Sequence, residues 1–295
     1  MKSSLLSKIL LILNAIQGIV LKWFIDFKII KVFSRKRGQR IPERLVVSLT
    51  SYGRRVNKTV YYTIISLLRQ SYTPDVIVLW LDSWEWNENN IPMKLKALQK
   101  YGLEIRYTDD RIKSYKKLVH SLEVFPNDII ITVDDDMYYK SDLIERMLKA
   151  YNQDPNCLYT NLAHLVCFTE DKQILPYNDW KHDKKGISGN RVFMLGVGAC
   201  LYKKELLHED VTNYSLFTKL SPKADDVWFY FMAILKHTPR KALAYSGSLC
   251  YHLDLLYQIR HPEASLMSDN CGGSQNDVQI NNVIKHYNIN VADLM

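Results

Sequence analysis

The pattern of apolar and polar positions changes character near residue 41. From Leu5 to Phe33 the chain is mostly apolar, with Lys8, Lys22, Asp26, Lys28 and Lys31 interspersed. At about 100° per residue, Leu5, Ile9, Ile12, Ile16, Ile19, Val20, Trp23, Phe27 and Ile30 share one helical face, while Lys8, Asn14, Gln17, Lys22, Lys28 and Lys31 fall largely on the rest. After Pro42, short β-rich runs alternate with helical periodicity. Runs at 45–49, 76–81, 103–107 and 129–133 predict strands, and Val56–Leu68, Pro92–Tyr101 and Tyr115–Phe125 predict the helices between them. Such alternation predicts an α/β, Rossmann-like, mostly parallel sheet with helices on both faces. Leu143–Tyr151, Val227–Leu235 and Val278–His286 add helices, and the polar, turn-rich stretch 171–191 reads as a long surface loop or lid.

Composition narrows the class. A chain of 295 residues, 47% hydrophobic, can bury a large core. Its five cysteines are odd in number and lack CxxC spacing, so neither a disulfide framework nor a zinc site is indicated and a reducing compartment fits. The net charge of +8 suits an anionic lipid surface, a phosphorylated substrate or nucleic acid. Aromatic RNA-binding strand motifs are absent, so no nucleic-acid partner is expected. Part of the excess charge is Arg35-Lys36-Arg37 with Arg40, each worth about 1 kcal/mol near an anionic leaflet. The uninterrupted apolar stretch Ile9–Leu13 falls short of the roughly 20 residues a membrane span needs, and no small-residue cleavage site follows it. Residues 1–40 are therefore expected to be an amphipathic, basic segment lying on a membrane surface; a helix packed on the core or on a partner, and a true span, are the alternatives.

The chemistry concentrates at Asp134, Asp135 and Asp136, which end the apolar strand run Ile129–Val133. Three adjacent carboxylates repel and push one pKa up unless a cation offsets them. A hard divalent ion takes oxygen ligands and often holds substrate phosphates as well. Open α/β sheets bind ligands at such strand ends. A second acidic pair, Asp225 and Asp226, opens the helix 227–235. It either caps that helix or aims a general base into the cleft. The small residues 195–199 permit close backbone approach but match neither a Walker nor a dinucleotide glycine pattern.

In this order, the strand 45–49 with its Thr-Ser-Tyr turn, the Asp-Asp-Asp strand end, the small-residue segment 195–199 and the Asp225-Asp226 helix start resemble nucleotide-sugar glycosyltransferases of the GT-A fold, especially bacterial enzymes of surface-polysaccharide synthesis such as capsule and lipopolysaccharide. The resemblance covers roughly 44–290. It implies a GT-A domain at 41–295, divided into a nucleotide-binding half (41–140) and an acceptor-binding half (141–295). It implies Mn2+ or Mg2+ as cofactor, with Asp136 and His252 as metal ligands, His261 and His286 being the rival histidines. It places Thr50, Tyr52, Arg55, Asp82, Asp134 and Asp135 on the donor, a UDP-sugar by default, with Lys116 or Lys117 near the phosphates unless these are solvated lysines. Asp226 is implied as the base of an inverting reaction, with Asp225, Trp180, Trp228, Tyr177 and His182 on the side of a glycan or lipid-linked acceptor. Asn276-Asp277 is explained by capping as well as by acceptor binding. The expected location is peripheral, on the cytoplasmic side of the cell membrane. The alternatives are a metal-dependent nucleotidyltransferase or phosphohydrolase, for which Thr50–Arg55 is a poor phosphate loop, and a non-catalytic membrane-surface binding protein.

Overall fold

The computed structural model describes residues 5–27, 41–261 and 275–295, with side chains of the first helix from Ile12 onward. The basic run Arg35–Arg40, the positions Lys28, Ile30 and Lys31, and the side chains of Leu5, Lys8 and Ile9 lie outside the described residues.

Helix α1 (Leu5–Asp26) comes first, and the expected alternation follows. Strands β1 (Leu45–Thr50), β2 (Val76–Asp82), β3 (Leu103–Thr108) and β4 (Ile129–Thr132) are joined through α2 (Arg54–Lys58), α3 (Val60–Leu68), α4 (Met93–Lys96) and α5 (Lys116–Val124). Next come β5 (Met137–Tyr139), α6 (Leu143–Gln153), β6 (Leu158–Thr160), β7 (Ala163–Leu165), β8 (Lys181–Lys184), β9 (Ile187–Ser188), β10 (Val192–Met194) and β11 (Cys200–Tyr202). The chain continues through α7 (Tyr214–Leu220), α8 (Asp225–Leu235), β12 (Arg240–Ala242), β13 (Cys250–His252), α9 (Leu255–Arg260) and α10 (Gln275–Tyr287).

The main sheet has eight strands in the order β3-β2-β1-β4-β11-β6-β12-β9. Its pairings are parallel except those of β11 with β4 and β6, and of β9 with β12. Alternate side chains of a strand point to opposite faces, so each strand feeds two cores. Val46, Val78 and Ile130 pack with α5 and α8 on one face. Val47, Leu79 and Ile131 pack with α3 and α6 on the other. Burial on both faces explains why these strands read as continuous Val/Ile/Leu runs. The mixed, mostly parallel α/β sheet covered on both faces is the fold class expected, GT-A-like, with an N-terminal helix.

Three local expectations are corrected. The helix expected over 56–68 is two helices, broken at Thr59 with φ −127°. The helix expected over 92–101 is the single turn α4 followed by a 3-10 turn at Gln99–Tyr101. The stretch 171–191 is not one long surface loop: β8 joins a second sheet beside β7 and β10, and β9 extends the main sheet. Its polarity disguised strands too short and too exposed to alternate clearly.

Helix α1 packs on β13, which pairs with β5 in a two-stranded sheet. Asn14 donates to the Cys250 carbonyl at 3.0 Å and accepts from the His252 N–H at 2.8 Å, satisfying an otherwise open strand edge. A Cβ on Gly18 would stand 2.0 Å from the His252 carbonyl oxygen, so only glycine permits this approach. Among the described residues no helix is long and apolar enough to cross a membrane.

Candidate active site

The site forms at the C-terminal ends of β1 and β4, where the three aspartates diverge. Asp134 turns toward α5, and Lys117 Nζ donates to its Oδ1 at 3.0 Å. Asp135 is buried; it accepts from Ser51 Oγ at 2.5 Å and from Arg55 Nη1 at 2.8 Å. Asp136 is buried too, with Arg55 Nη2 at 3.2 Å and Gln258 Nε2 donating at 2.5 Å to the same oxygen, Oδ2. Burial pushes Asp135 up to about 6 against the pull of Arg55. It raises Asp136 as well, again opposed by Arg55. One guanidinium thus offsets both carboxylates.

Across the cleft, Lys117 links Asp134 to the start of α8, with its Nζ 3.6 Å from Asp225 Oδ2. Burial alone would lower this lysine, but Asp134, Asp225 and Asp226 hold its pKa well above the ordinary value. Ser114 Oγ donates to Asp225 at 2.8 Å. Asp226 Oδ2 accepts from the Gly196 N–H at 3.3 Å. A Cβ on Gly196 would lie 2.7 Å from Lys117 Nζ, 3.4 Å from Asp226 Oδ1 and 3.6 Å from Asp134 Oδ1. One glycine therefore marks the point where the triplet, the buried lysine and the second acidic pair converge. Burial, then the neighbouring Asp225, pushes Asp226 up to about 7, with Lys117 opposing. A carboxyl poised near neutrality and partly exposed to a cleft has the properties of a general base.

On the Arg55 side, the loop after β1 and the start of α9 enclose a cavity of about 270 Å3, lined by Tyr52, Arg54, Arg55, Asp254, Tyr257 and Gln258 and not by Lys117, Asp225 or Asp226. Arg54 pairs with Asp254 and lies 3.6 Å from the centre of the Tyr257 ring. Gly53, at φ 52°, turns the loop so that Tyr52, Arg54 and Arg55 all reach this cavity. Thr50 instead spends its hydroxyl on the Trp80 carbonyl at 3.0 Å. Farther along the strand ends, Asp82 pairs with buried Lys116, whose Nζ is 3.4 Å from Asp110 Oδ1. Burial lowers Lys116 to about 8. Neither Lys116 nor Lys117 is the solvated lysine considered from the sequence.

The two metal ligands expected from the sequence, Asp136 and His252, are neighbours in the fold, with Asp136 Oδ2 held by Arg55 and Gln258. β13 pairs His252 with Met137, and the Leu253 N–H donates to the Asp136 carbonyl at 2.9 Å, which sets His252 beside Asp136. His252 Nδ1 is buried without a hydrogen-bond partner, and burial lowers the pKa of this ring, favouring the neutral form that ligates metals. Among the described residues no group of three His, Cys, Asp or Glu side chains is assembled for an ion. Mg2+ typically takes one or two protein carboxylates and completes its shell with phosphate oxygens and water, which a two-residue site allows. Of the rival histidines, His261 has its ring centroid 4.3 Å from that of Tyr257, and His286 is exposed on α10.

The aromatic acceptor residues are corrected. Trp228 is fully buried, its Nε1 donating to the Val211 carbonyl at 3.1 Å. Trp180 is buried and donates to the Leu175 carbonyl at 2.8 Å. Tyr177 is buried in the same cluster, and His182 lies 2.9 Å from His164. None of the three buried rings has a face free for a sugar; the apolar run of α8 needed Trp228 as core. Asp277 accepts from the Tyr177 N–H at 2.7 Å, a structural contact. Sequence reasoning missed Ser51, Arg54 and Gln258 as site residues, Arg54 alone carrying a signal as a second cation in the loop after the first strand; the close approach expected of 195–199 is found at Gly196, though its partner Lys117 was not foreseen.

No family model matches the chain, and no curated protein is found similar to it. Solved structures do resemble it. A CMP:2-keto-3-deoxy-manno-octonic acid synthetase complexed with CTP is 15% identical, over 75% of this chain and 98% of its own, with a TM-score of 0.45. The 4-diphosphocytidyl-2C-methyl-D-erythritol synthase of Anaerococcus prevotii is 14% identical, over 75% of this chain and 96% of its own, at 0.48. HddC of Yersinia pseudotuberculosis is 10% identical, over 58% of this chain and 80% of its own, at 0.35. At such identities and scores they bear on no question of chemistry.

Proposed function

We propose that the cleft transfers a sugar from a nucleotide sugar, a UDP-sugar by default, to a hydroxyl of a glycan or lipid-linked acceptor in bacterial surface-polysaccharide synthesis. The carrying observation is Asp226, a carboxyl raised to about 7 that converges with Asp134 and Lys117 around Gly196. In this reading Asp226 takes the proton of the acceptor hydroxyl as its oxygen bonds to the anomeric carbon. The bond from that carbon to the diphosphate breaks, its electrons leave with the nucleoside diphosphate, and configuration inverts. Asp134 faces the sugar or ribose hydroxyls, Asp225 orients the acceptor, and Lys117 keeps the three carboxylates from repelling one another. Tyr52 and Arg55 border the nucleotide, with Thr50 and Asp82 at its edges. Asp135, tied to Ser51 and Arg55, positions the arginine. Asp136 and His252 would hold Mn2+ or Mg2+ against the diphosphate, where such a cation stabilises the leaving group's charge. The nucleotide belongs to 41–140 and the acceptor to 141–295, at the cytoplasmic face of the membrane.

A second reading, nucleotidyl transfer from a nucleoside triphosphate to a sugar, is favoured by one feature: Arg54 and Arg55 both line the cavity behind the Gly53 turn, a cationic place for a phosphate chain. Against it, both arginines are already paired with aspartates. The products separate the two. With Mn2+, a panel of nucleotide sugars and glycan acceptors should yield nucleoside diphosphate, and CTP or UTP with free sugars should yield no pyrophosphate. Pyrophosphate release without diphosphate release would replace the first reading by the second.

A further inference from the structure

Helix α1 meets the domain through a mixed face: Ala15 and Ile25 are buried, Asn14 and Gly18 lie on β13, Lys22 donates to the Leu253 carbonyl at 3.4 Å, and Asp26 accepts from the Tyr62 hydroxyl at 2.7 Å. The opposite side is apolar and bare. Ile12, Ile16, Ile19, Val20, Trp23 and Phe27 are each between 42% and 61% exposed. Their spacing follows one helical stripe, so this is a continuous face rather than scattered positions. Packing on the domain uses Ala15 and Ile25 but, among the described residues, leaves this apolar stripe uncovered.

Charge identifies the occupant. Lys22 and Lys94 lie 5.2 and 4.9 Å from the centre of the same Tyr62 ring, at the C-terminal end of α1. Lys58 is exposed nearby and adds to the repulsion felt by Lys94. Asp26, the acid at this end, is engaged by Tyr62. The next stretch of sequence carries Lys28, Lys31, Arg35, Lys36, Arg37 and Arg40. Trp23 and Phe27, with ring centroids 4.5 Å apart, end the stripe at the cationic rim, where amphipathic rings favour a water–lipid boundary. A second copy of the chain seated on this stripe would bring two cationic rims together, whereas anionic headgroups would complement both rim and stripe.

We infer that the outward stripe of α1, with the Lys22, Lys58 and Lys94 rim, is the face by which this protein rests on an anionic bilayer. Asn14 and Gly18 join the helix to the strand bearing His252, which couples the lipid-facing stripe to the cleft. The inference stands whether the cleft moves a sugar or a nucleotide.

Flotation of the full chain with vesicles tests it. The protein should float with phosphatidylcholine–phosphatidylglycerol vesicles and scarcely with phosphatidylcholine alone, and added salt should release it. The double substitution Ile16→Glu and Trp23→Glu should weaken binding at least roughly tenfold, as expected from two lost apolar burials. Circular dichroism should show the variant folded; if it does not, Trp23→Ala with Phe27→Ala at the same exposed stripe gives the reading. Failure of the wild type to float, equal binding to neutral vesicles, or floating unaffected by these substitutions would overturn the inference. So would a dimer in light scattering that Ile16→Glu dissociates while no vesicle is bound.

Discussion

The two ends of the cleft are built from the same residue type and solve the same electrostatic problem differently. At one end Asp135 and Asp136 are held by Arg55, a permanently charged fork whose Nη1 and Nη2 reach one carboxylate each. At the other, Asp134, Asp225 and Asp226 crowd around Lys117, a single point charge among three acids. The first end has one acid more than its cation, the second two more, and burial together with Asp225 carries Asp226 highest, to about 7. Gripping a diphosphate calls for fixed charge, and removing a proton calls for a group that titrates near the working pH. The difference assigns the ends their work within the proposed function.

The largest effects should fall on opposite observables at the two ends. Asp226→Asn should reduce sugar transfer by about 10²–10⁴-fold while donor binding is kept, since the amide holds a hydrogen bond but accepts no proton. Asp136→Ala should instead weaken Mn2+-dependent donor binding, by on the order of 10²-fold. Calorimetry with a nucleotide sugar and steady-state turnover separate them. If both variants lost donor binding alike, the division of labour would not hold.

Next in size is the cost of breaking the Arg55 end. Arg55→Ala leaves Asp135 with only the Ser51 hydroxyl and Asp136 with the Gln258 amide. Removing one partner from buried ion pairs costs on the order of 3 kcal/mol of stability, measurable by urea unfolding. Mn2+ should restore part of it by supplying the missing charge at Asp136. Destabilisation indifferent to Mn2+ would argue against a cation at that carboxylate.

How far these ends could be read from the sequence follows from what each depends on. The sheet was legible because strands buried on both faces read as apolar runs, as Ile129–Ile131 does. Asp134–Asp136 were legible because charge directly after such a run must emerge somewhere, and Asp225-Asp226 because they open an apolar helix. Their convergence was not, since it depends on Gly196 clearing room for Lys117. Gln258 gave no signal, being an ordinary polar residue on a short helix that the fold happens to carry over Asp136. Trp180 and Trp228 misled for the reverse reason: an aromatic beside a polar segment reads alike whether it faces a sugar or fills a core. From Ile12 to Phe27 the expected stripe of α1 forms one exposed face, but periodicity does not say which face meets the protein.

The smallest effect is also the most direct measure of the difference between the ends. The carboxyl of Asp226 titrates near 3.9 in an unfolded chain and near 7 in the fold. Between those values the folded state binds more protons at this site than the unfolded state. Stability contributed by the protonated carboxyl is therefore complete below about pH 4, is lost as pH rises toward 7, and changes no further above it. Asp226→Asn mimics the neutral form at every pH. The variant and the wild type should thus be equally stable near pH 4, and the variant the more stable at pH 8, by on the order of 1–3 kcal/mol. Asp135 and Asp136 titrate upward of their ordinary range too, but they are present in both proteins and cancel in the difference. Urea unfolding of the pair across this range isolates Asp226. A difference that stayed flat with pH would mean that Lys117 fully neutralises the acidic end, and the base would then have to be sought elsewhere in the cleft.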